Sequence, residues 1–215
     1  MITVKSFVFS PFGENTYVLS DETKECVLID PGCYDGNERK MLSNYIKQNE
    51  LQPVRLLNTH GHLDHVFGNQ FVFETYGLLP ELCREELPIL AAYPEVASRY
   101  GVPNAQASPF PEKYIEDGEI LSFGASRMKA MWAPGHSPGS LCYYFEEDGI
   151  VFVGDVLFYG SIGRVDLQGG DYETLIHSIE TQLMTLPDET VVYCGHSQKT
   201  TIGRERVMNP FLNRR

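Results

Sequence analysis

Basic residues, paired cysteines and long apolar runs are all scarce in this sequence, and each shortage excludes a class of protein. The 17 lysines and arginines are outnumbered by 29 acidic residues, which leaves a net charge of −12. Nucleic-acid binding needs a basic surface that replaces phosphate counterions, so this balance argues against a nucleic-acid partner. No stretch approaches the ~18 consecutive apolar residues of a membrane-spanning helix, so we expect no membrane partner.

The cysteines and the N-terminal segment indicate a cytoplasmic protein. The five cysteines are odd in number and form no CxxC pair, which is typical of reduced thiols. The segment MITVKSFVFSPFGEN lacks the basic start and the small-residue cleavage site of a signal peptide, and its pattern predicts a strand. At 215 residues and 42% hydrophobic content, the chain fits one domain, residues 1–215, with a helical excursion at about 85–111.

Histidine and aspartate are concentrated at the ends of apolar runs. The segment THGHLDH, residues 59–65, follows one such run, and three more runs lead through Gly or Pro-Gly into a single His or Asp. Short apolar runs closed by Gly or Pro indicate buried strands, and sites assemble where strands end at one sheet edge. Of the six histidines only His177 lies outside this pattern. The candidate ligands are His60, His62, Asp64, His65, His136, Asp155 and His196.

Seven nitrogen and oxygen ligands are too many for one tetrahedral ion, and they suffice for two. We predict that His60, His62 and His136 bind one ion, that Asp64, His65 and His196 bind the other, and that Asp155 bridges them. Imidazole and carboxylate without thiolate favour Zn²⁺, with Fe or Mn as alternatives, in a site that stays partly open. In a second interpretation the clustered histidines have only surface or capping roles.

The remaining periodicities predict two sheets packed face to face with helices outside, an α/β architecture. We expect a hairpin of Ile2 to Phe9 and Asn15 to Leu19, and further strands at residues 26–29, 54–57, 120–123, 127–131, 141–145 and 150–153. We expect helices at residues 38–48, 66–76, 172–183 and 201–208, and a helical stretch at residues 85–100 that Pro94 interrupts.

These motifs resemble a known family. THGHLDH, PGHSPGS, VGDVLF and CGHS are similar to the metallo-β-lactamase superfamily, and GSIGRVDLQGGD and TTIGRERVMNPFL resemble its short hydroxyacylglutathione hydrolase-like, or glyoxalase II-like, proteins. The similarity runs from Asn15 to Leu212. It implies an αββα sandwich, the metallo-β-lactamase fold, with metals at one sheet edge.

Paired divalent cations indicate a hydrolase whose nucleophile is a metal-bridging hydroxide, with Asp64 and Asp155 as the catalytic carboxylates. A thioester suits this chemistry because its thiol leaves as thiolate with a pKa of ~8.5, without a general acid. The resemblance implies a small thioester derived from glutathione. Arg164 is a candidate clamp for a substrate carboxylate, but Asp166 replaces the Tyr that the family usually has there, and an Arg164–Asp166 ion pair is an equal alternative.

Other functions remain open at this stage. Persulfide dioxygenases resemble the same motifs but use one Fe(II), whose ligands here would be His60, His136 and Asp155. A non-catalytic scaffold that keeps a structural metal is a further alternative, as is Cys194 acting as a nucleophile. For Phe12, Phe158 and Tyr159 we expect core packing rather than a place in a pocket. The oligomeric state is not predicted.

Overall fold

A five-stranded sheet forms from the first part of the chain. The computed structural model describes residues 1–103 and 105–213. The strands are β1 (Thr3–Phe9), β2 (Glu14–Ser20), β3 (Glu25–Ile29), β4 (Gln52–Leu57) and β5 (Pro80–Glu81), in that spatial order. The first three pair antiparallel, and β3, β4 and β5 pair parallel. The predicted hairpin and the two strands that follow it are therefore confirmed.

The second part of the chain forms a six-stranded sheet and a two-stranded ribbon. The strands are β6 (Ile120–Phe123), β7 (Ser126–Trp132), β8 (Leu141–Phe145), β9 (Ile150–Gly154), β10 (Leu157–Phe158), β11 (Ser161–Ile162), β12 (Val191–Cys194) and β13 (Thr200–Thr201). The order in the sheet is β13-β12-β9-β8-β7-β6, and β10 and β11 form the ribbon. Since β7 and β9 both run antiparallel to β8, and β12 runs parallel to β9, these three strands end at the same edge.

Six α-helices connect and cover the sheets in the described ranges. They are α1 (Gly36–Gln48), α2 (Asn69–Tyr76), α3 (Leu87–Ala91), α4 (Tyr93–Arg99), α5 (Tyr172–Ser178) and α6 (Ile202–Met208). The Asp35 side chain caps α1 in a box with Glu38, and Gly77 ends α2 in the left-handed conformation. In the described residues, no helix combines the length and the apolar character that crossing a bilayer would require.

Three apolar layers hold the fold together. Tyr17 of the first sheet packs edge-on against Phe152 of the second, at 5.0 Å between ring centroids, in the core between the sheets. On the outer face of the first sheet, Leu42 of α1 and Val72 of α2 are buried. Leu175 of α5 is among the residues that cover the outer face of the second sheet. This is the predicted αββα sandwich.

Two predicted helices differ from the observed ones in detail. The helix expected from Val66 begins at Asn69, because residues 63–65 form a separate 3₁₀ turn that carries ligand residues. The helix expected over residues 172–183 changes to π-helical geometry at Ile179–Leu183. In the excursion, α3 and α4 are separated at Ala92, and Pro94 is tolerated because it lies in the first turn of α4, where no intrahelical donor is needed.

Candidate metal centre

The candidate ligands lie just beyond four strand ends. His60 follows β4, His136 follows β7, Asp155 follows β9 and His196 follows β12. The parallel course of β7, β9 and β12 brings the last three together at one edge, and packing of the sheets brings the loop after β4 to the same place. All seven sequence-predicted ligands are found in this region.

One cluster consists of three imidazoles, those of His60, His62 and His136. The Nε2 atom of His136 lies 2.9 Å from Nδ1 of His62 and 3.2 Å from Nε2 of His60. These three ring nitrogens are close enough to bind one ion together. In neutral imidazoles each ring has a lone pair on one nitrogen, so the convergence fits a cation better than a set of mutual hydrogen bonds.

A second cluster consists of Asp64, His65 and His196. The Nε2 atom of His196 lies 3.1 Å from Oδ2 of Asp64, and Nε2 of His65 lies 4.0 Å from the same oxygen. These three side chains can also hold an ion together. These two triads have the composition that the sequence predicts, and a third set, Asp30, His60 and His65, lies equally close together, so the division of the ligands between two ions stays a prediction.

Asp155 lies between the two clusters. Its carboxylate oxygens are 3.4 Å from Nε2 of His65, 3.6 Å from Nε2 of His196 and 3.7 Å from Nε2 of His136. In the described part of the chain, Oδ1 of Asp155 and Nε2 of His65 are buried without a hydrogen-bond partner. Buried polar atoms are normally satisfied, so these two orphaned atoms fit coordination to a cation between the clusters.

The protonation states of the first triad and of the two carboxylates suit metal binding. Burial lowers the pKa of His60 and of His136 and reduces that of His62 to about 3, so these rings are neutral at pH 7, as ligands must be. Burial alone would raise the pKa of Asp64 and Asp155, but the adjacent histidines, above all His65, lower both overall. Both carboxylates are therefore ionised.

Several groups outside the predicted set orient the ligands. Asp30 accepts hydrogen bonds from the Thr59 backbone at 2.7 Å and the Thr59 hydroxyl at 2.6 Å, and its Oδ2 lies 3.0 Å from Nδ1 of His65. The Nδ1 atom of His136 lies 2.8 Å from the Arg164 carbonyl oxygen, which can accept a hydrogen bond from a protonated Nδ1 and so leave the lone pair on Nε2. Such contacts select the tautomer and the ring orientation of a ligand.

Glu86 ties the two ligand loops together, and sequence reasoning missed it. Its carboxylate is fully buried and accepts hydrogen bonds from the Gly61 backbone at 2.7 Å and the Gly139 backbone at 2.6 Å. Gly61 lies between His60 and His62, and Gly139 lies three residues after His136. Burial raises the pKa of Glu86, while these hydrogen bonds oppose the rise. The only sequence signal was an acidic residue on the buried side of a helical stretch.

Residues of β2 secure the loop that carries His196. The Asn15 amide donates to the carbonyl of Cys194 at 3.0 Å, and the Tyr17 hydroxyl donates to the same oxygen at 2.6 Å. The Asn15 backbone also donates to Gly195 at 2.7 Å. A Cβ atom on Gly195 would lie 2.2 Å from Oδ1 of Asp155, so glycine is required there for the loop to pass this carboxylate.

A cavity of about 780 Å³ opens over the two clusters. His62, Asp64, His136, Asp155 and His196 form its polar floor. Its apolar walls come partly from α3 and α4 of the excursion and partly from the ribbon and the loop after it. The wall residues are Phe12, Leu63, Ile89, Ala92, Val96, Tyr100, Phe158, Ile162 and Leu167.

Phe12 and Phe158 line this cavity, and Phe12 is 39% exposed, so the expectation of core packing is wrong for Phe12. Phe158 packs against the core as well as the cavity. Tyr159 is 43% exposed and lies beneath the Arg204 guanidinium. Phe12 and Tyr159, which are exposed instead of packed in the core, both flank turns, where a side chain can point toward solvent.

The structure also shows where the remaining candidates from the sequence lie, namely Arg164, His177 and Cys194. Arg164 forms a bidentate ion pair with Asp166, through Nε and Nη2 at 2.7 Å each, which is the second of the two alternatives. Arg164 also lines the cavity, and its role as a substrate clamp stays a prediction. His177 is exposed on α5, away from the clusters. Cys194 is buried, and burial raises the pKa of its thiol to about 12, which makes it a poor nucleophile.

The fold and the site together define a class of protein: an αββα sandwich with two adjacent His/Asp clusters at one sheet edge, which could hold a pair of divalent metals. Residues 10–196 match the model of the metallo-β-lactamase superfamily, and the chain belongs to this superfamily. The similarity seen in the sequence motifs is therefore confirmed, and the chain falls among the metal-dependent hydrolases of that family.

Individual relatives cover nearly the whole chain. It is 39% identical to the hydroxyacylglutathione hydrolase GloC of Haemophilus influenzae over 204 residues, which cover 94% of each protein. The crystal structure of the BLEG-1 B3 metallo-β-lactamase is 35% identical, with a TM-score of 0.89, and covers 99% of this chain and 100% of that one. The crystal structure of TTHA1623 in a di-iron-bound form is 36% identical, with a TM-score of 0.87, over 97% of this chain and 100% of that one.

Proposed function

We propose that this protein is a binuclear metallohydrolase that cleaves small thioesters of the hydroxyacylglutathione type. The observation that carries the proposal is the pair of triads, one of three histidines and one of Asp64 with two histidines, on either side of Asp155 at the floor of an apolar cavity. The similarity to GloC, itself named a hydroxyacylglutathione hydrolase, supports the choice of substrate.

The residues present suit two ions. His60, His62 and His136 would hold one ion, Asp64, His65 and His196 the other, and Asp155 would contact both. When bound, two divalent cations supply a hydroxide near neutral pH and a Lewis acid that polarises the substrate carbonyl. The nitrogen and oxygen ligands favour zinc, and the di-iron form of TTHA1623 supports iron as the alternative.

The chain itself contributes orientation, charge and exclusion of water. Asp64 and Asp155, both ionised, line the cavity, where they would orient the nucleophile and balance the charge of bound cations. Asp30 and the Arg164 carbonyl hold the rings of His65 and His136 in the orientation needed for binding. The apolar walls from the excursion would cover a bound thioester and exclude bulk water.

A thioester fits the acid–base inventory of the cavity. In its described lining, no lysine faces the floor, and the carboxylates and histidines there are already assigned to ligation. A thiol leaving group with a pKa of ~8.5 departs as thiolate, whereas an amine would have to be protonated first. The lining therefore favours thioesters over amide substrates such as β-lactams.

The test combines metal analysis with a substrate panel. We expect protein purified without chelator to hold two metals per chain and to hydrolyse S-D-lactoylglutathione faster than a β-lactam such as nitrocefin. Metal-loaded protein that cleaves β-lactams and leaves thioesters intact would contradict the proposed substrate. Removal of both metals should abolish turnover, and their return should restore it.

One geometric observation supports a second candidate, the mononuclear iron dioxygenase acting on persulfides. The Nε2 atom of His136 lies 3.2 Å from Nε2 of His60 and 3.7 Å from Oδ2 of Asp155. Such iron sites use two histidines and one carboxylate, which these three residues provide. The second triad would then have no role. One iron per chain, with oxygen uptake on glutathione persulfide and no thioester cleavage, would establish this candidate instead.

A further inference from the structure

The β10–β11 ribbon forms part of the cavity wall above the metal centre. Phe158, Ser161 and Ile162 of the ribbon line the cavity. The ring of Phe158 lies edge-on to the ring of His196, at 6.2 Å between centroids. The ribbon consists of two residue pairs, Leu157 with Ile162 and Phe158 with Ser161. Because an isolated two-stranded ribbon is marginally stable at best, contacts from elsewhere must hold this wall in place.

The base of the ribbon is held by the core. Val156 and Leu157, which directly follow Asp155, are fully buried. The backbone N–H of Gly163 donates to the Val156 carbonyl at 3.4 Å and closes the base. A Cβ atom on Gly163 would lie 1.9 Å from the Asp155 carbonyl oxygen, so the two ends of the ribbon approach closely. These contacts keep Asp155 in place independently of the turn.

The turn of the ribbon is held from outside by two fully buried residues of the C-terminal segment. Oε2 of Glu205 in α6 accepts a hydrogen bond from the Gly160 backbone at 2.9 Å. The Asn209 amide donates to the Ser161 carbonyl at 3.0 Å and to the same Glu205 oxygen at 2.9 Å. Both residues therefore bind the backbone of the turn, where the ladder of the ribbon itself has ended.

The helix that carries this anchor is itself firmly attached. Ile202 of α6 is buried among the residues that cover the second sheet. The Arg206 guanidinium donates to the Met184 carbonyl at 2.8 Å. Oε1 of Glu205 accepts from the Thr200 hydroxyl at 2.6 Å. The Glu205 carboxylate therefore bonds through one oxygen to its own support and through the other to the ribbon.

We propose that Glu205 and Asn209 are positioning residues that fix the ribbon wall of the cavity for substrate binding. Neither belongs to the described lining of the cavity, so their effect on a substrate passes through Phe158 and Ser161. That this wall faces a thioester rests on the proposed hydrolysis; the anchoring of the wall does not. Because the base and the turn are held separately, loss of the anchor should weaken substrate binding and leave the metal ligands in place.

The first measurement follows the wall without catalysis. In the metal-loaded protein, 4-fluorophenylalanine at position 158 gives one fluorine resonance, whose shift and width report the surroundings of that ring. In Glu205→Ala we expect this resonance to move or broaden, because Gly160 and Asn209 lose their shared acceptor. Glu205→Gln should restore the parent signal, because one amide oxygen can still accept from both donors and the Thr200 hydroxyl can accept from the amide nitrogen.

Steady-state kinetics with S-D-lactoylglutathione measure the consequence for the substrate. We expect KM to rise about tenfold in Glu205→Ala, as for a small change in an apolar pocket, and kcat to stay within about threefold. Metal content should stay at the parent value.

Asp21→Ala is the matched control for this measurement. Asp21 is a buried carboxylate that also holds a turn, through the Ala125 backbone at 2.8 Å and the Ser126 hydroxyl at 2.7 Å, and it lies outside the described lining. A loss of stability alone lowers the amount of active protein and leaves KM unchanged, which is the result we expect for Asp21→Ala.

Three results would overturn the anchor. The fluorine signal could match the parent in both Glu205→Ala and Asn209→Ala, it could move while KM stays at the parent value, or kcat and metal content could fall without a change in KM. Asn209→Ala removes the contact to Ser161 and keeps the one to Gly160, so it answers the same question if Glu205→Ala does not fold. Failure of the hydrolase proposal is a separate observation, since the parent protein would then cleave no thioester while the fluorine signal still moves in the variants.

Discussion

The side chains of the two triads differ in charge although they lie within a few ångströms of each other. Burial keeps His60, His62 and His136 neutral, whereas the second triad contains an ionised carboxylate, Asp64. The pKa of His65 is raised, because Asp155, Asp64 and Asp30 together outweigh the opposing effect of burial. Protons therefore compete with metal ions for the second triad more strongly than for the first.

Replacement of Asp155 should abolish most of the activity while the protein still folds. In Asp155→Ala we expect kcat to fall about 100-fold or more, and metal content to fall below two per chain, since this carboxylate lies between both triads. Plasma emission spectrometry and lactoylglutathione turnover measure the two effects. The exposed acid Asp166, changed to Ala, serves as the control for metal content. Collapse of the fold together with the metal in Asp155→Ala would support a structural rather than a catalytic role.

His62 gives a pH dependence with a defined sign. Its folded-state pKa of about 3 lies below the ordinary value of 6.5. Between these two values His62 is protonated in the unfolded chain and neutral in the folded, metal-free protein. Stability is therefore lost as the pH falls below 6.5, and at pH ~5 the loss from this residue is about 2 kcal/mol.

We expect metal-free His62→Gln to lose less stability between pH ~7.5 and ~5 than the parent protein, by about that amount. Chemical denaturation at the two pH values measures the difference. His177→Gln, at an exposed histidine on α5, should keep the parent slope. Equal slopes for all three proteins would show that His62 takes up its proton in the folded state without cost.

The residues that sequence reasoning found are those concentrated in motifs. His60, His62, Asp64 and His65 occupy six consecutive positions, and the other three ligands each follow an apolar run. Asp30 lies in an Asp-Pro-Gly segment that has the pattern of an ordinary turn, and Glu86 is one acid among several in a helical stretch. Their roles depend on partners 25 or more residues away, such as the Asp30–Thr59 and Glu86–Gly139 contacts, and no local pattern records these.

At the scale of elements, the excursion is a wall of the cavity and also a support for the ligand loops. Leu90 and Tyr93 of α3 and α4 pack against Val66 and Phe67, which directly follow the ligand segment. Glu86, just before α3, bonds to both ligand loops. A shift of the excursion is therefore transmitted to the positions of His60, His62 and His136.

Replacement of Glu86 tests this support. In Glu86→Gln one carboxylate acceptor becomes an amide donor that faces backbone N–H groups, so we expect metal affinity to fall about 10- to 100-fold with the fold retained. Competition with a chromophoric chelator measures the affinity. The exposed neighbour Glu85, changed to Gln, is the matched control. Unchanged metal affinity in Glu86→Gln would show that the loops hold their positions without this contact.

Long elements were predictable and very short ones were not. Strands such as β8 and β9 have nearly continuous apolar runs, and α1 has an apolar face and a capping box, so their patterns identify them. The two-residue strands β5, β10, β11 and β13 have no period to detect and exist because neighbouring backbone lies beside them. The predicted helix starts three residues too early, at Val66 instead of Asn69, because Val66 and Phe67 continue its apolar pattern toward the N-terminus.

At the scale of the molecule, the metal centre joins two halves of the chain. Four candidate ligands come from the loop after β4 of the first sheet, and three come from loops of the second sheet. Each triad combines side chains from both halves: His136 joins the first triad and His196 the second. Bound metal therefore stabilises the packing of one sheet against the other.

Metal removal should lower stability as well as activity. A site saturated at ~1,000 times its dissociation constant adds about 4 kcal/mol to the free energy of unfolding. For a chain of this size we expect chelation to lower Tm by roughly 8 to 16 °C, which calorimetry measures. In Asp155→Ala the same chelator should produce a smaller shift. A Tm that is unaffected by chelation would mean that the two halves pack equally well without metal.

The distribution of ligands along the chain also has a consequence for how the protein is made. The segment with His60 to His65 emerges from the ribosome early, but neither triad is complete before His136 and His196 have been synthesised and their strands have paired. A product that stops before His196 therefore lacks part of the second triad, and metal loading at both triads would report that synthesis has passed this residue.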